Sequence, residues 1–350
     1  MRIANLQFFI RTFVQIRLPA GRQVFRKPLM KTLLLIDANS IIHRCFHALP
    51  KFTAPDGRPS GALYGLASVL LKIFRETPPD YAAALFDRPE PTFRDKIYKE
   101  YKAQRPPTED ILISQLIEAP NLFEKFGVRP FDKAGFEADD LIATFAEKFS
   151  AQSGSASGGK DDLMVVIMTG DMDTLQMVSD GKIIVRTFKK GISETMDFDE
   201  AAVKNKYGLE PKQLLDYKAL VGDASDNIKG VSGIGPKTAV SILHKAGTLE
   251  NAYANPALLP EKVREKLLES KEQAELSKKL VTLEMNVPIG DIKLEDLRAE
   301  MKTLAIKEYF EKFGFRALVN RMDNGVIKTP AKTPVKKPEE DSGSKQGRFL

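Results

Sequence analysis

Short apolar runs recur at intervals through the first two thirds of the chain. LLLI (33–36), YAAALF (81–86) and LMVVIM (163–168) are continuous enough to be strands buried on both faces. VRPF (128–131) and KIIVRTF (182–188) are further strand candidates. Because helical stretches separate these runs, the pattern predicts an α/β fold with a mostly parallel central sheet flanked by helices.

The stretches between the strand candidates have the spacing of amphipathic helices. Residues 63–76, 111–127 and 139–149 repeat their apolar positions along one helix face. Pro120 lies inside the second stretch, where a proline removes a hydrogen bond, so we expect it to break the helix. Gly127 is expected to end that helix, because glycine commonly follows the last helical turn.

Composition changes divide the chain into segments. Residues 31–197 contain the alternating pattern and are predicted to form an α/β core, whereas residues 198–320 are predicted to form a smaller helical subdomain. The Ser- and Gly-rich run 150–159 predicts a flexible surface loop. The Pro- and Lys-rich run 328–350 has no periodicity and is expected to be a disordered tail.

Residues 1–30 differ in charge from everything after them. They hold six of the chain's 53 basic residues and no acid, so the remaining 47 basic residues balance the 47 acidic ones. We expect an extension outside the fold, read from an upstream start codon, with Met30 beginning the functional protein. A transit peptide is the alternative, since such peptides are Arg-rich and poor in acids.

Composition also excludes several classes of protein. The single cysteine, Cys45, excludes a disulfide framework and a cysteine-based zinc site, and three histidines argue against a histidine-rich metal site. No apolar run approaches the ~20 residues that a membrane span needs. The chain is therefore expected to be a soluble cytoplasmic protein.

Nine carboxylates stand in five short motifs, most of which directly follow an apolar run. Strand ends of a parallel sheet share one edge, so Asp37, Asp87 and Asp171 are expected to lie together. Gathered carboxylates repel one another, and Mg²⁺ is a hard cation that takes oxygen ligands. The pattern predicts metal-assisted attack on a phosphodiester, although each motif alone also fits a helix cap or a solvated turn. The candidate ligands are Asp37, Asp87, Glu137, Asp139, Asp140, Asp171, Asp173, Asp223 and Asp226.

The run GVSGIGPKTAVSILHKAG (230–247) fits a helix-hairpin-helix. Glycines in its turn permit close backbone approach, and Pro236 suits the first helical position. The amides at that helix start are suited to holding a DNA phosphate without reading bases. The alternative is a turn between helices that serves only packing. The candidate DNA contacts here are Gly233, Ile234, Gly235, Lys237 and Thr238.

Residues 91–107, which we call the basic segment, interleave cations with aromatic rings. Arg94, Lys102 and Arg105 recur beside Tyr101, a pattern that suits phosphates and unpaired bases. A solvated charged helix is the alternative. Arg44 stands seven residues after Asp37, which places it on the same face of a helix. It is either a further candidate phosphate contact or a structural arginine. The histidines His43, His47 and His244 are expected to be ordinary surface or core residues.

From about residue 31 to about residue 318 the chain resembles the 5′ nuclease domain of bacterial DNA polymerase I and the related flap endonucleases, a PIN-like fold. The order of the motifs is that of the family, and they extend over the whole globular part. The departures from the family pattern are Ala38, Met172 and Lys229, and none of them removes an acid. The matching stretches are LLLIDANSIIHRCFHAL, ALFDRPEPTFRDKIYKEYKAQRPP, GFEADDLIA, MTGDMD and LVGDASDNIKGVSGIGPKTA.

The resemblance implies a structure-selective 5′-3′ exonuclease and flap endonuclease that uses two or more Mg²⁺ ions, with Mn²⁺ as a substitute. Arg44, Lys102 and Arg105 would act on the scissile phosphate, while Arg94 and Tyr101 would contact DNA. The basic segment would be part of the arch through which a 5′ strand passes, and some members hold K⁺ at the helix-hairpin-helix. One implied ligand group is Asp37, Asp87, Glu137, Asp139 and Asp140; the other is Asp171, Asp173, Asp223 and Asp226.

The implied partners are DNA with 5′ flaps or 5′ ends, RNA primer–DNA hybrids and a cooperating DNA polymerase, with the chain itself a nucleoid-associated monomer. A binding protein that has lost catalysis, or a fragment of a DNA polymerase I, is the alternative. A metal-dependent ribonuclease of the wider superfamily is a third reading, which the helix-hairpin-helix disfavours.

Deleting residues 1–29 should leave the fold and activity intact, because the patterned sequence begins after Met30. Thermal melting and nuclease assays of the two forms test this. A truncated product that fails to fold would show that the extension is structural.

Overall fold

The computed structural model describes residues 14–17, 23–26, 30–151 and 163–323. Strands β1 (Val14–Arg17) and β2 (Gln23–Arg26) pair antiparallel in a sheet of their own, separate from the central sheet. The predicted tail at 328–350 and nearly all of the predicted loop at 150–159 lie outside the described residues. Within the described part of the chain, no helix is both long and apolar enough to cross a membrane.

Six strands form the central sheet, in the spatial order β5-β4-β3-β6-β7-β8. The first five pair in parallel, and β8 adds an antiparallel edge that the sequence did not predict. The predicted mostly parallel sheet is therefore confirmed. The strands are β3 (Lys31–Asp37), β4 (Tyr81–Phe86), β5 (Arg129–Asp132), β6 (Leu163–Met168), β7 (Ile183–Lys190) and β8 (Glu194–Phe198).

Helices cover both faces of this sheet, which explains why its central strands β3, β4 and β6 are largely apolar. In β3, Leu33 and Leu35 pack in one apolar cluster, with helix α5, whereas Leu34 and Ile36 pack in another, with α1, α2 and α4. The helices of this region are α1 (Ala38–Ala48), α2 (Gly61–Glu76), α3 (Phe93–Ile97), α4 (Asp110–Lys125) and α5 (Ala138–Ser150).

Helix α4 runs through Pro120, so the predicted break there is wrong. Ala119 and Leu122 are fully buried on either side of the proline, and this packing holds the helix together despite the lost hydrogen bond. Gly127 ends the helix as predicted, with a φ of +70°. A Cβ at Gly127 would also collide with the backbone of Glu300, so both conformation and space require glycine.

Beyond residue 199 the chain is mainly helical, as predicted. The α-helices are α6 (Glu200–Tyr207), α7 (Leu214–Val221), α8 (Pro236–Ala246), α9 (Leu249–Ala254), α10 (Glu261–Glu269), α11 (Lys271–Val281), α12 (Thr303–Lys312) and α13 (Arg316–Asp323). A short hairpin, β9 (Gly222–Asp223) and β10 (Ile228–Lys229), follows α7. Four 3₁₀ turns are also present within the described residues, at Asp173–Met177, Pro211–Gln213, Pro256–Leu258 and Leu294–Leu297.

Helices α12 and α13 pack against the central sheet. Ile306 and Phe310 of α12 are fully buried in the same cluster as Leu34 and Ile36 of the central sheet. The other face of the sheet shares its cluster with α7, α8 and α9. Helices from the predicted subdomain, residues 198–320, therefore contact both faces of the sheet, and the subdomain boundary stays a prediction.

Candidate metal centre and nucleic-acid interface

Three aspartates lie at the carboxyl ends of neighbouring strands, as predicted. Asp37 ends β3, Asp87 follows β4 and Asp171 follows β6, and these strands are adjacent and parallel. Asp37 is 5% exposed; it accepts hydrogen bonds from the hydroxyl of Thr169 at 2.6 Å and the amide of Ser40 at 3.0 Å. The sheet topology thus brings the three acids to one edge.

Asp139 joins them from the first turn of α5, and burial together with the neighbouring carboxylates disfavours the charged forms of Asp37 and Asp139. Burial, then the charge of Asp87, raises the pKa of Asp37 to about 7. Burial, then the charges of Asp171, Asp37 and Asp87, holds the pKa of Asp139 well above its usual range. Within residues 30–151 and 163–323, none of these four acids has an ion-pair partner.

These residues fit a hydrated divalent cation. One oxygen of Asp139, Oδ1, is buried and has no hydrogen-bond partner among the described residues. No three His, Cys, Asp or Glu side chains in that part of the chain converge closely enough to hold one ion by themselves. Mg²⁺ commonly takes only one or two carboxylates and keeps several waters, so the donor set suits it. The role of the four acids as ligands stays a prediction.

Asp173 and Asp223 share a counter-ion that sequence reasoning missed. The ammonium of Lys218, on α7, forms an ion pair with Asp173 and donates to Asp223 Oδ2 at 2.7 Å. Burial opposes the charge of Asp223, but the hydrogen bond and charge of Lys218 outweigh it and lower the pKa of Asp223 to about 2. No sequence motif marked Lys218; only its position, five residues before Asp223, hinted at proximity.

Glu137 and Asp226 are paired with the basic segment. Lys102 Nζ donates to Glu137 Oε1 at 2.7 Å, and Arg105 donates to Asp226 Oδ1 at 2.6 Å. The hydroxyl of Tyr101 lies 3.0 Å from Glu137 and 3.1 Å from Asp226. Cations predicted to face a phosphate therefore neutralise two of the predicted metal ligands in this structure.

The ring of Tyr101 is buried in this structure. The residue is 6% exposed and packs in a small apolar cluster with Ile228, Leu280 and Val281. This burial between the basic segment and α11 was not readable from local sequence, and the DNA contact of Tyr101 stays a prediction.

Arg94 and Asp140 are paired with each other inside the protein. Arg94 is 2% exposed and Asp140 is 0% exposed, and they form a bidentate pair with both distances 2.7 Å. The guanidinium is buried in this structure, and both oxygens of Asp140 accept from protein donors. The DNA contact of Arg94 and the metal ligation of Asp140 stay predictions.

Arg44 lies beside an open cavity of about 400 Å³. Its Nε donates to the carbonyl of Gly191 at 2.7 Å, and its guanidinium lies 5.1 Å from the ring centroid of Phe188. Ser40, which follows the strand end at Asp37, and His47 line the same cavity. The cavity makes His47 a candidate contact that the sequence did not single out.

The helix-hairpin-helix turn has the predicted local geometry. Gly233 has a φ of +72°, Gly235 caps the amino end of α8, and Pro236 is its first residue. Lys237 is exposed and Thr238 is half-buried, so both remain available to DNA. Ile234 is 4% exposed, which leaves only its backbone for the predicted contact.

Two family models match the chain in sequence. The 5′-3′ exonuclease N-terminal resolvase-like domain matches residues 32–208, and the 5′-3′ exonuclease C-terminal SAM fold matches residues 209–304. The chain belongs to the 5′-3′ exonuclease family. The first match covers the central sheet with its carboxylates, and the second covers the helix-hairpin-helix.

Relatives of this 5′-3′ exonuclease family member differ in length. A 5′-3′ exonuclease of Aquifex aeolicus is 36% identical over 84% of this chain and 96% of its own length. DNA polymerase I of Caldicellulosiruptor bescii is 37% identical over 83% of this chain, but the chain spans only 33% of that protein. The chain thus spans about a third of the polymerase relatives and nearly all of the shorter exonuclease.

Solved structures share the fold of this family member. A bacteriophage T5 flap endonuclease, in a pseudo-enzyme-product complex with DNA and metal ions, is 20% identical with a TM-score of 0.60. That match covers 81% of this chain and 100% of the T5 protein chain. At this identity the likeness establishes the fold alone.

Asp37→Asn should stabilise the metal-free protein at pH 8 and change it little at pH 4. Folding raises the pKa of Asp37 from 3.8 to about 7, so ionising it costs stability that grows as pH rises through that range. Asp223→Asn is the matched control, since a pKa lowered from 3.8 to about 2 predicts lost stability at both pH values.

Melting curves in EDTA measure both effects. Added Mg²⁺ should stabilise the wild type more than Asp37→Asn, because the ion binds the folded carboxylates. A lower melting temperature for Asp37→Asn than for the wild type at pH 8 in EDTA would contradict the assigned repulsion.

Proposed function

We propose that the chain is a divalent-metal-dependent 5′-3′ exonuclease and structure-specific flap endonuclease that hydrolyses DNA phosphodiesters. The main support is the cluster of four unpaired acids, Asp37, Asp87, Asp139 and Asp171, at the carboxyl edge of the sheet. Family membership and the metal ions in the T5 flap endonuclease structure agree with this chemistry.

Acidic and basic residues of the chain would have different roles in the reaction. The four unpaired acids would hold Mg²⁺, or Mn²⁺ in its place, and the bound ion supplies an activated water and offsets charge on the phosphate. Lys102 and Arg105, now 2.7 Å from Glu137 and 2.6 Å from Asp226, would turn to the scissile phosphate. There they would stabilise negative charge that develops during the reaction.

Arg44 would add a further phosphate contact. Its Nε donates to the carbonyl of Gly191, in the β7–β8 turn, and a terminal nitrogen donates to the carbonyl of Phe188, in β7. These bonds orient the guanidinium and limit the conformational entropy lost on binding a phosphate. We propose that Arg44, Lys102 and Arg105 contact the scissile phosphate and that Lys237 contacts the duplex, whereas Arg94 is buried against Asp140.

The helix-hairpin-helix would hold the duplex away from the cleavage point. Amides around Gly233 and Gly235, with Lys237 and Thr238 beside them, suit a backbone phosphate. A K⁺ ion at this turn is part of the proposal. The substrates would be DNA with 5′ flaps or 5′ ends and RNA primer–DNA hybrids, in primer removal and repair.

The relatives support the proposal that the chain acts together with a DNA polymerase. DNA polymerase I proteins contain a segment like this chain, and the Aquifex exonuclease matches it nearly end to end. We infer that a monomer, associated with the nucleoid, acts together with a DNA polymerase whose strand displacement supplies the 5′ flaps.

Cleavage of a 5′-labelled flap DNA by residues 30–350, with Mg²⁺ and with EDTA, tests the proposal. Metal-dependent release near the flap junction is expected, and a duplex lacking the flap serves as the matched substrate. Tight binding without cleavage in either Mg²⁺ or Mn²⁺ would instead indicate a DNA-structure-binding protein.

Lys102→Ala should slow single-turnover cleavage by at least about tenfold while changing flap affinity by about threefold or less. A single phosphate contact is a small part of the total electrostatic binding, whereas charge stabilisation at the reacting phosphate acts on the rate. Lys307→Ala, on the exposed side of α12, is the control for charge alone. Equal losses in rate and affinity would assign Lys102 to docking.

A further inference from the structure

Arg94 uses every hydrogen that its guanidinium can donate. Its Nε donates to the carbonyl of Leu280 at 2.8 Å, and one terminal nitrogen donates to Asp140 at 2.7 Å and Glu137 at 3.3 Å. The other terminal nitrogen donates to Asp140 at 2.7 Å and the carbonyl of Thr282 at 2.9 Å. Five N–H groups thus meet five acceptors, a match that only arginine can make.

Asp140 is saturated in the same way. Beyond the two bonds from Arg94, its Oδ1 accepts from the amide of Glu284 at 2.9 Å and its Oδ2 from the amide of Glu137 at 3.1 Å. Four donors fill the four lone-pair positions of a carboxylate. The pair therefore joins three segments: the basic segment at α3, the start of α5, and the chain that leaves α11.

Glu137 lies between this pair and the carboxylate site. Its side chain accepts hydrogen bonds from three donors of the basic segment, Arg94, Tyr101 and Lys102. Its charge also contributes to the raised pKa of Asp139, so it is electrostatically part of the four-acid cluster. Of these three partners, Lys102 would turn to the phosphate, whereas Arg94 is buried and keeps its contact.

We propose that the Arg94–Asp140 pair is a positioning device that fixes Glu137 and Asp139 at the start of α5 while Lys102 exchanges Glu137 for the substrate phosphate. The predicted effect of the pair on cleavage rests on the proposed function. The geometry of the pair itself does not depend on it. Arg94 and Asp140 touch neither substrate nor ion, and they act through the two acids.

Replacing both partners with apolar residues distinguishes a positioning role of the pair from a role in stability alone. Arg94→Met or Asp140→Leu alone leaves a buried charge without its partner and should lower Tm by roughly 5–10 °C. Arg94→Met/Asp140→Leu together removes both charges and should recover most of that loss. The double variant still cannot cap the amide of Glu137 or bind its side chain.

Positioning predicts that the double variant regains stability without regaining function. Its Mn²⁺ affinity, titrated on the free protein, should stay about tenfold weaker than that of the wild type. Its single-turnover flap cleavage should stay at least about tenfold slower, with flap affinity in EDTA unchanged. The control is Arg186→Met/Asp197→Leu, which removes the other bidentate Arg–Asp pair, between β7 and β8, and should leave Mn²⁺ affinity unchanged.

Recovery of Mn²⁺ affinity together with Tm in the double variant would overturn the proposal and leave the pair a structural one. Loss of a whole Mn²⁺ equivalent in Asp140→Asn, with Tm and the remaining affinity unchanged, would overturn it in favour of direct ligation. Arg94→Lys adds a check, since it keeps the charge but not the five-bond geometry, and it should resemble the double variant in Mn²⁺ affinity.

The two proposals fail in different ways. A wild-type protein that binds Mn²⁺ but does not cleave flap DNA would overturn the proposed function, and the Mn²⁺ titrations would still decide the role of the pair. A wild-type protein that cleaves, with a double variant that cleaves equally well, would overturn only the positioning role.

Discussion

Carboxylates gathered at one edge of a parallel sheet repel each other, and the fold around them is arranged by how that repulsion is relieved. Five of the nine acids are relieved internally, by Arg94, Lys102, Arg105 and Lys218. The other four, Asp37, Asp87, Asp139 and Asp171, have no ion-pair partner in the part of the chain that the structure describes. An external cation is the remaining way to offset their charge.

The five acids with internal cations differ from the other four in what surrounds them. Most of these ion pairs join segments that are distant in sequence. Lys218 joins α7 to the loop after β6, and Arg105 joins the basic segment to the β9–β10 hairpin. The contacts that neutralise charge here are therefore also contacts of the tertiary packing.

The sequence predicted the features that depend on local pattern. Strand runs such as LMVVIM, the turn at Gly233 and the helix end at Gly127 follow from periodicity and backbone conformation, and the structure has them in place. Pro120 was misread because tertiary packing on both sides outweighed its local effect. The burial of Arg94 and Tyr101 was not predicted, because a cation or ring in a basic stretch gives no sign of packing against α11, nearly 200 residues later.

The return of α12 to the central sheet has a consequence for how the chain folds. Leu34 and Ile36 are synthesised early, but their cluster includes Phe310, which leaves the ribosome roughly 270 residues later. Until then one face of the sheet has an incomplete cover, and closing it requires contacts between distant parts of the chain. Open apolar faces of this kind favour transient association in general, and the docking of α12 covers this one.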